Sequence, residues 1–502
     1  MADPPKLVVS LPARSLAEAG PQIELARRAG ADLGEIRFDR WSTEGRLRAA
    51  GLFPSGLPLI ATLRSRAEGG DGPDDPGERA AFFATIADLP FTWIDLEAGR
   101  DDLLEIPSSV RPELGVIRST HFAEGTTVAE VMRALDVPVP PRTLRKLVVP
   151  APTGIAVREL VPAIQRAPVA PHRLILTTGG SGPLLRALGR RLGIPYVYAA
   201  LPEGEAGGTL GQVEASQIPV DRLHRFFADP DQPPLFAVLG HPVLHSLSPS
   251  IHDHWMSATQ RSGLYVPLDI TTDAEFRFVL SRLAELGFRG LNVTHPWKTA
   301  ALAYAARSSA AAKECGAANC LTWKGTDWEA DNTDVLAMTR RLEELRAEGT
   351  WDGERMTVLG AGGAARATLV AARKLGARST VYARRRSTAE KAALTYGSEV
   401  GDEASPVRTS LVIHATTAGA EPATPLSLPL GDVVERGGLV LDWVYRPAEP
   451  TVRERTRMAG ARYESGERLL VYQAASSFSH WWGAPPSPES VRHVLAEVGC
   501  AA

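Results

Sequence analysis

Apolar and polar positions alternate along the first half of the chain with two periods. Short β-branched and aliphatic runs stand at KLVVSL (6–11), LGEIRF (33–38), PLIATLR (58–64), TWIDLE (92–97), LGVIRSTH (114–121), RKLVVPA (145–151), RLILTTG (173–179) and YVYAAL (196–201), and they read as strands. Between them lie Ala/Leu/Arg-rich segments with helical spacing, as at 15–30, 77–88, 126–134 and 182–192. Strand alternating with helix predicts a parallel sheet, because parallel neighbours need long crossovers. Eight such units in about 225 residues match the size of a (β/α)8 barrel, with a doubly wound open sheet as the competing architecture.

ADPDQPP (228–234) interrupts this alternation, and its Pro/Asp content suits a linker over 229–234 after a first domain at 1–228. A second βα series follows with LFAVLG, LYVPLDI and GLNVTH, then a helix from about 334. MTVLGAGGAAR opens a third region with strands near 379–384, 410–415 and 439–443, and helical patterns close the chain.

At 502 residues the chain is too long for one ordinary core. A net charge of −3 gives no whole-chain attraction for nucleic acid or anionic membrane, and no apolar run has the length of a membrane span. The N-terminus passes straight into a strand pattern without a signal peptide, and Cys315, Cys320 and Cys500 make neither a disulfide framework nor a zinc site, so a reducing cytoplasm is expected. The cation usage is informative: Lys+Arg total 55, yet the lysines are only Lys6, Lys146, Lys298, Lys313, Lys324, Lys374 and Lys391. Lys146 heads an apolar run. Either it begins an exposed strand with its amine in water, or it is a desolvated amine able to attack a carbonyl, which arginine cannot do.

In a (β/α)8 barrel, chemistry gathers at the C-terminal ends of the strands. Those places are polar here: Glu35, Arg37 and Asp39, then Arg64 and Glu68, Asp95 and Glu97, and Ser119, Thr120 and His121. Charges alternating inside apolar strands must pair or bind something polar, and an anionic, polyhydroxylated substrate would satisfy them. GEIRFD, TLRSRAEGG, DLE, STH, RKLVVP and GGTLGQ, in that order over roughly 1–220, resemble type I 3-dehydroquinate dehydratase. The resemblance implies that Lys146 forms an imine with the substrate ketone, that His121 is the general base and that Glu68 orients it. It implies that Arg37, Arg64 and Arg186 hold the substrate's carboxylate and hydroxyls, with Glu35 and Gln212 as further contacts. Nearby arginines and partial burial are expected to lower the Lys146 pKa. The chain departs from the family with Phe122 directly after the histidine, and with Gly208 and Leu210 where the closing loop has Ser and Pro.

In VLGAGGAARA, residues Gly360, Ala361, Gly362, Gly363 and Ala364 follow a strand and open a helix, the G-x-G-x-x-A form of a dinucleotide-binding turn. The next strand leads into Arg384, Arg385 and Arg386 rather than an acidic residue, which favours NADP over NAD. A surface helix start is the structural alternative. GHPVLHSLSPSIH, GLNVTHPWKTAA, GAANCL, DNTD, HATTAG, DWVYRP and GERLLVYQAASSF resemble shikimate dehydrogenase over about 235–500. That resemblance implies a substrate-binding part at about 235–335 plus 467–502 and a Rossmann NADP-binding part at about 336–466. Ser246 and Ser248 would bind the substrate carboxylate. Asn292, Thr294, Asn319, Tyr445 and Gln473 would surround the ring, Lys298 and Asp334 would move the hydroxyl proton, and Trp443 and Gly466 would border the nicotinamide. The departures are Ala383-Arg384-Arg385 for the family's N-R-T, His414-Ala415-Thr416 for its N-A-T, and Cys320 for its threonine.

The expectation is therefore an α/β chain, a TIM barrel followed by a substrate domain and a Rossmann domain. It would be a metal-free bifunctional lyase and oxidoreductase of aromatic amino-acid precursor synthesis. It would act on 3-dehydroquinate, 3-dehydroshikimate and shikimate, and not on nucleic acid or membranes. Two alternatives stay open: a catabolic quinate/shikimate dehydrogenase using NAD, and a non-enzymatic metabolite-sensing regulator built from the same domains.

Overall fold

The computed structural model describes residues 3–47, 56–102, 104, 113–167, 170–203, 213–419, 426–447 and 450–500. Contacts group the chain into two compact units: Met1–Leu235 with Pro242–His245 and Ser262–Gly287, and Phe236–His241 with Ser246–Arg261 and Phe288–Ala502.

The first unit carries β1 (Lys6–Leu11), β2 (Leu33–Arg37), β3 (Leu59–Thr62), β4 (Trp93–Glu97), β5 (Gly115–His121), β6 (Thr143–Pro150), β7 (Arg173–Thr178) and β8 (Tyr196–Ala199). Every ladder is parallel, in the order β7-β6-β5-β4-β3-β2-β1-β8. Because β8 returns to pair with β1, the sheet wraps into a nearly closed barrel and the open-sheet alternative falls. All eight expected strands form. β6 opens two residues earlier than its apolar run suggests, so Lys146 sits mid-strand, 4% exposed, and not at a wet strand end.

Three helices of this unit begin where polar caps precede apolar spacing. The Ser15 side chain accepts from the Glu18 amide ahead of Leu16–Arg28, Asp75 does the same for Glu78 ahead of Pro76–Ala87, and Thr127 and Glu130 close a reciprocal capping box ahead of Val128–Asp136. A further helical stretch, Thr153–Arg166, fills the crossover after β6 and carries Pro162 within it. A π-turn at Ala156–Leu160 precedes the proline and lets the helix carry it.

Strand alternation builds the barrel interior in layers. Val8, Leu33, Ile60, Trp93, Ile117, Leu144 and Tyr196 line one small apolar cavity. The residues two positions on, which share that face, are Ser10, Glu35, Thr62, Asp95, Ser119, Lys146 and Tyr198. An apolar plug therefore supports a polar layer, which is why so many charges sit inside short aliphatic strands.

The second unit opens with a sheet in which Leu235–Gly240, Phe288–Val293, Cys320–Trp323, Trp328–Asp331 and Arg307–Ser308 are successive neighbours. Cys320–Trp323 is antiparallel to both neighbours. Its hairpin turn holds Gly325 at φ 91°, in the left-handed region that glycine adopts without strain. A second, all-parallel sheet follows in the order Glu399–Val400, Arg378–Tyr382, Arg355–Leu359, Thr409–His414, Val434–Asp442, Arg462–Glu464. In chain order that is 3-2-1-4-5-6, with the switch point between Arg355–Leu359 and Thr409–His414, the crevice where such sheets bind dinucleotides.

Candidate active sites

The polar layer of the barrel converges on Lys146. Its amine lies 2.8 Å from Asp95 Oδ2, 3.5 Å from Glu35 Oε1 and 4.5 Å from the centre of the Tyr198 ring. Glu35 is held by the hydroxyls of Ser10 at 2.8 Å and Thr62 at 2.9 Å. Ladder register places Ser119 between Glu97 and Lys146. Burial favours the neutral amine, but Asp95 foremost, with Tyr198 and then Glu35 after it, outweighs burial, so the Lys146 pKa moves upward. This corrects the expected downward shift. The expectation counted the arginines, whereas the groups in contact with the amine are carboxylates. Asp95 is correspondingly held well below the usual carboxylate range: burial alone would raise it, and Lys146 and Arg64 reverse that.

His121 ends β5, and its Nδ1 is 2.7 Å from Glu68 Oε2. Burial first, then the charges of Arg64 and Lys146, bring its pKa down to about 2, so the ring is neutral at physiological pH. A neutral ring donating Nδ1–H to Glu68 leaves Nε2 free to accept a proton. Glu68 itself is shifted upward by burial despite Arg64.

The three expected substrate arginines differ in availability. Arg37 makes a two-pronged pair with Asp39 at 2.8 Å on each arm and is 15% exposed. Arg64 is buried and donates to Glu68 at 2.7 Å, Glu97 at 3.1 Å, Ser119 at 3.1 Å and Asp95 at 3.2 Å. Arg186 is also buried, and donates to the carbonyls of Tyr198 and Thr177, to Ser216 and to Glu214, so most of its fork is already bonded. Gln212, with Gly208 and Leu210, lies outside the described residues. Sequence reading gave no role to Asp95 or Tyr198. The signal for both was the period-two step from the apolar layer.

In the second unit, Lys298 opens the helix Lys298–Tyr304 and its amine lies 2.6 Å from Asp334 Oδ2. Asp334 is in the first turn of Thr333–Ala347, where the helix dipole favours a carboxylate. Its other oxygen accepts from Asn319 Nδ2 at 2.8 Å. Asn319 also reaches Thr333 Oγ1 at 2.9 Å and Gln473 Oε1 at 3.4 Å, and Asn292 Nδ2 reaches Ser477 Oγ at 2.8 Å. Ser246 and Ser248 lie at the start of the eleven-residue helix Ser248–Ala258, whose N-terminus suits a carboxylate, with the Ser248 amide donating to Ser246 Oγ at 3.2 Å. Thr294 continues from the strand end at Val293 and donates its amide to Leu239 O at 2.9 Å. The Tyr445 phenol interacts with the Ser246 side chain.

Gly360 follows Arg355–Leu359 at φ 122°, and a Cβ there would stand 2.5 Å from Ala415 O. Gly362 caps the helix Gly363–Lys374 with no side chain on the orphan amides and open space where a Cβ would be. Ala361 lies between these glycines, and Ala364 is in the first helical turn. Such a cradle fits a pyrophosphate. A Cβ on Gly363 would come 3.2 Å from Lys298 Cδ, so the turn and the Lys298–Asp334 pair adjoin. Arg384 and Arg385 are exposed beyond the neighbouring strand, while Arg386 pairs with Glu390 at 3.2 Å. The Trp443 indole donates to Thr368 Oγ1 at 3.0 Å, and Gly466 packs so closely on the Trp443 carbonyl that a Cβ would approach it to 2.4 Å. Cys315 and Cys320 are buried, and all three thiols are free.

The family model for type I 3-dehydroquinase matches residues 7–220, and that for the shikimate dehydrogenase substrate binding domain matches 238–321. A shikimate dehydrogenase (NADP(+)) of Dinoroseobacter shibae is 34% identical over 275 residues, 53% of this chain and 98% of that protein. One from Anaeromyxobacter sp. is 37% identical over 270 residues, 51% of this chain and 93% of the relative. Among solved structures, the Thermus thermophilus shikimate 5-dehydrogenase in complex with NADP(H) and shikimate is 32% identical with a TM-score of 0.47, covering 53% of this chain and 99% of that one. The dehydroquinate dehydratase and shikimate dehydrogenase from S. pombe is 21% identical with a TM-score of 0.43, covering 99% of this chain and 98% of that one. This chain belongs to the shikimate dehydrogenase family, and its residues 7–220 match the type I 3-dehydroquinase family model.

Proposed function

We propose that a domain at 1–228 dehydrates 3-dehydroquinate to 3-dehydroshikimate, and that one at 235–502, beyond a linker at 229–234, reduces this product to shikimate with NADPH. One observation carries the residue assignments: of the seven lysines, Lys146 and Lys298 are the two that ion-pair with carboxylates among the described residues. An arginine-dominated chain has placed an amine at each centre where a guanidinium could not exchange a proton.

In the first reaction, Lys146 Nζ attacks the ketone carbon, and loss of water from the adduct gives a protonated imine. The iminium acidifies the adjacent C–H, and His121 Nε2 takes that proton. The electron pair forms the C=C bond and expels the β-hydroxyl, which leaves as water with the proton that His121 took up, returning the ring to its neutral form. Water then hydrolyses the imine, releasing the enone and the amine. Glu68 orients His121, Glu35 and Gln212 contact substrate, and Arg37, the most available of the three arginines, counters its carboxylate and hydroxyls, which Arg64 and Arg186 would join only by exchanging a present partner.

The pH dependence follows from the shifts. A raised Lys146 pKa keeps the amine charged at neutral pH, so its reactive fraction rises as pH rises. A His121 pKa lowered to about 2 keeps the base active throughout. Dehydratase kcat/KM is therefore expected to climb with pH from about 6 to about 9, roughly tenfold per unit, with no acid limb from histidine. An acid limb near the ordinary histidine pKa would contradict the neutral ring.

In the second reaction, Ser246 and Ser248 take the substrate carboxylate, and Asn292, Thr294, Asn319, Tyr445 and Gln473 surround the ring. Lys298, anchored by Asp334, gives its proton to the ketone oxygen. NADPH supplies the hydride. The Gly360–Ala364 turn would receive its pyrophosphate, Trp443 and Gly466 would border the nicotinamide, and Arg384 and Arg385 would meet the 2′-phosphate. Arg384→Ala and Arg385→Ala are each expected to weaken NADPH binding about tenfold while leaving NADH unchanged, since a hydrogen bond to a charged group contributes roughly 1.5–3 kcal/mol. Fluorescence titration with both cofactors checks this. An equal loss for NADH would place the arginines elsewhere.

No helix among the described residues is long and apolar enough to cross a membrane, and a cytoplasmic setting fits the three free thiols. The deciding experiment is a coupled assay with 3-dehydroquinate and NADPH. NADPH oxidation is expected. Ligand binding without oxidation would favour the regulator, and a preference for NAD would favour the catabolic enzyme.

A further inference from the structure

His414 stands where the resembling family carries the asparagine of N-A-T, and it ends the strand Thr409–His414 at the switch point of the parallel sheet. The ring is completely buried with both nitrogens bonded: Nδ1 is 2.7 Å from Asp442 Oδ1 and Nε2 is 2.6 Å from Thr416 Oγ1. Asp442 is also completely buried, and accepts from the Val444 amide at 2.9 Å and the Tyr463 hydroxyl at 3.0 Å. Thr416 Oγ1 accepts from the Ala418 amide at 3.1 Å. With its hydrogen on Nδ1, the imidazole donates to Asp442 and accepts from Thr416, and every group in the chain from Tyr463 to Ala418 is satisfied.

This chain of bonds spans three adjacent strands, since register pairs His414 with Asp442 and Tyr463 lies on the next strand, Arg462–Glu464. The loop it fixes on one side contains Ala415, whose carbonyl backs directly onto Gly360. On the other side, the Trp443 amide donates to His414 O at 2.9 Å and its indole reaches Thr368 on the glycine-turn helix, with Tyr445 two residues on. A buried imidazole without partners would be destabilising, and an aliphatic side chain could fill the same space. What the imidazole adds is a rigid span between two polar groups on different strand ends, which an asparagine side chain is too short to bridge.

We propose that His414 is a positioning residue for the reduction. Acting through Thr416 and Asp442, it fixes the Ala415–Gly419 loop and the Trp443–Tyr445 turn against the Gly360–Ala364 turn, so that cofactor and substrate contacts are set before either binds. The inference rests on reading Gly360–Ala364 as the dinucleotide turn.

The test uses the full chain with His414→Asn, Thr416→Val and the double variant, measuring NADPH binding by fluorescence and amide exchange at Ala418 and Val444. Each single change is expected to raise the NADPH Kd about tenfold, and the double variant no more than the worse single one, as residues acting through one network are non-additive. Protection at Ala418 falls in both. Val444, held through Asp442, loses protection in His414→Asn more than in Thr416→Val. Dehydratase activity stays at the parent level. If His414→Asn fails to fold, Thr416→Val carries the test, because its side chain is only partly buried and valine keeps its shape. Variants that bind NADPH within about twofold of the parent, or whose losses simply add, overturn the proposal. A parent chain that binds no NADPH overturns the dinucleotide-turn reading as well.

Discussion

Lys146→Arg is expected to lower dehydratase kcat/KM by about 10⁴- to 10⁶-fold while leaving reduction of 3-dehydroshikimate unchanged, the scale seen when an attacking nucleophile is removed. Arginine is the discriminating substitution. Alanine would leave Asp95 and Glu35 without the amine between them, with Arg64 still on Asp95, and breaking a buried pair destabilises by roughly 3–5 kcal/mol, so lost activity could reflect lost structure. Arginine keeps the positive charge against both carboxylates and can lie over the Tyr198 ring, which now faces the amine at 4.5 Å. What it cannot do is shed a proton and bond carbon. Borohydride reduction in the presence of substrate, followed by peptide mass mapping, is expected to give an adduct on Lys146 in the parent and none in the variant. An adduct on another residue, or dehydration that survives the change, would remove Schiff-base chemistry from this barrel.

The same lysine shows what the sequence discloses and what it withholds. The strands were legible because aliphatic runs of the right length alternate with helical spacing, and even the polar layer is a period-two consequence of those runs. The direction of the Lys146 pKa was not legible, because it depends on which charge lies across the ladder. Asp95 is 51 residues away in sequence and 2.8 Å away in space, and it shares itself between Lys146 and Arg64, which lies 3.2 Å from its other oxygen. Arg186 shows the same limit: its chain position suits a substrate contact, but Thr177, Tyr198, Ser216 and Glu214 already hold it. In the second unit, motif order named Asp334, Asn319 and Gln473, which hydrogen bonds link in sequence to Lys298. The approach of Gly363 to Lys298 and the His414 network arise only from packing at the switch point of the sheet.

Lys298→Met is expected to reduce kcat for 3-dehydroshikimate reduction by about 10²- to 10⁴-fold, the usual contribution of a positioned proton donor, with NADPH binding within about threefold of the parent. Methionine keeps an unbranched apolar stem where Lys298 Cδ now lies, within 3.2 Å of where a Cβ on Gly363 would stand, so the wall of the dinucleotide turn is preserved. Asp334 loses its cation but keeps the Asn319 hydrogen bond at 2.8 Å and its place in the first turn of a fifteen-residue helix, so the variant should fold. Asp334→Asn tests the other half of the pair: the amine stays but loses the charge that anchors it at 2.6 Å, and a smaller fall in kcat is expected. Both variants should dehydrate 3-dehydroquinate at the parent rate, so one preparation reports whether the lesion is local. If Lys298→Met reduced the ketone at the parent rate, the proton would have to come from another group. The assignment of the two lysines to the two steps would then fail at its second member while the first still stood.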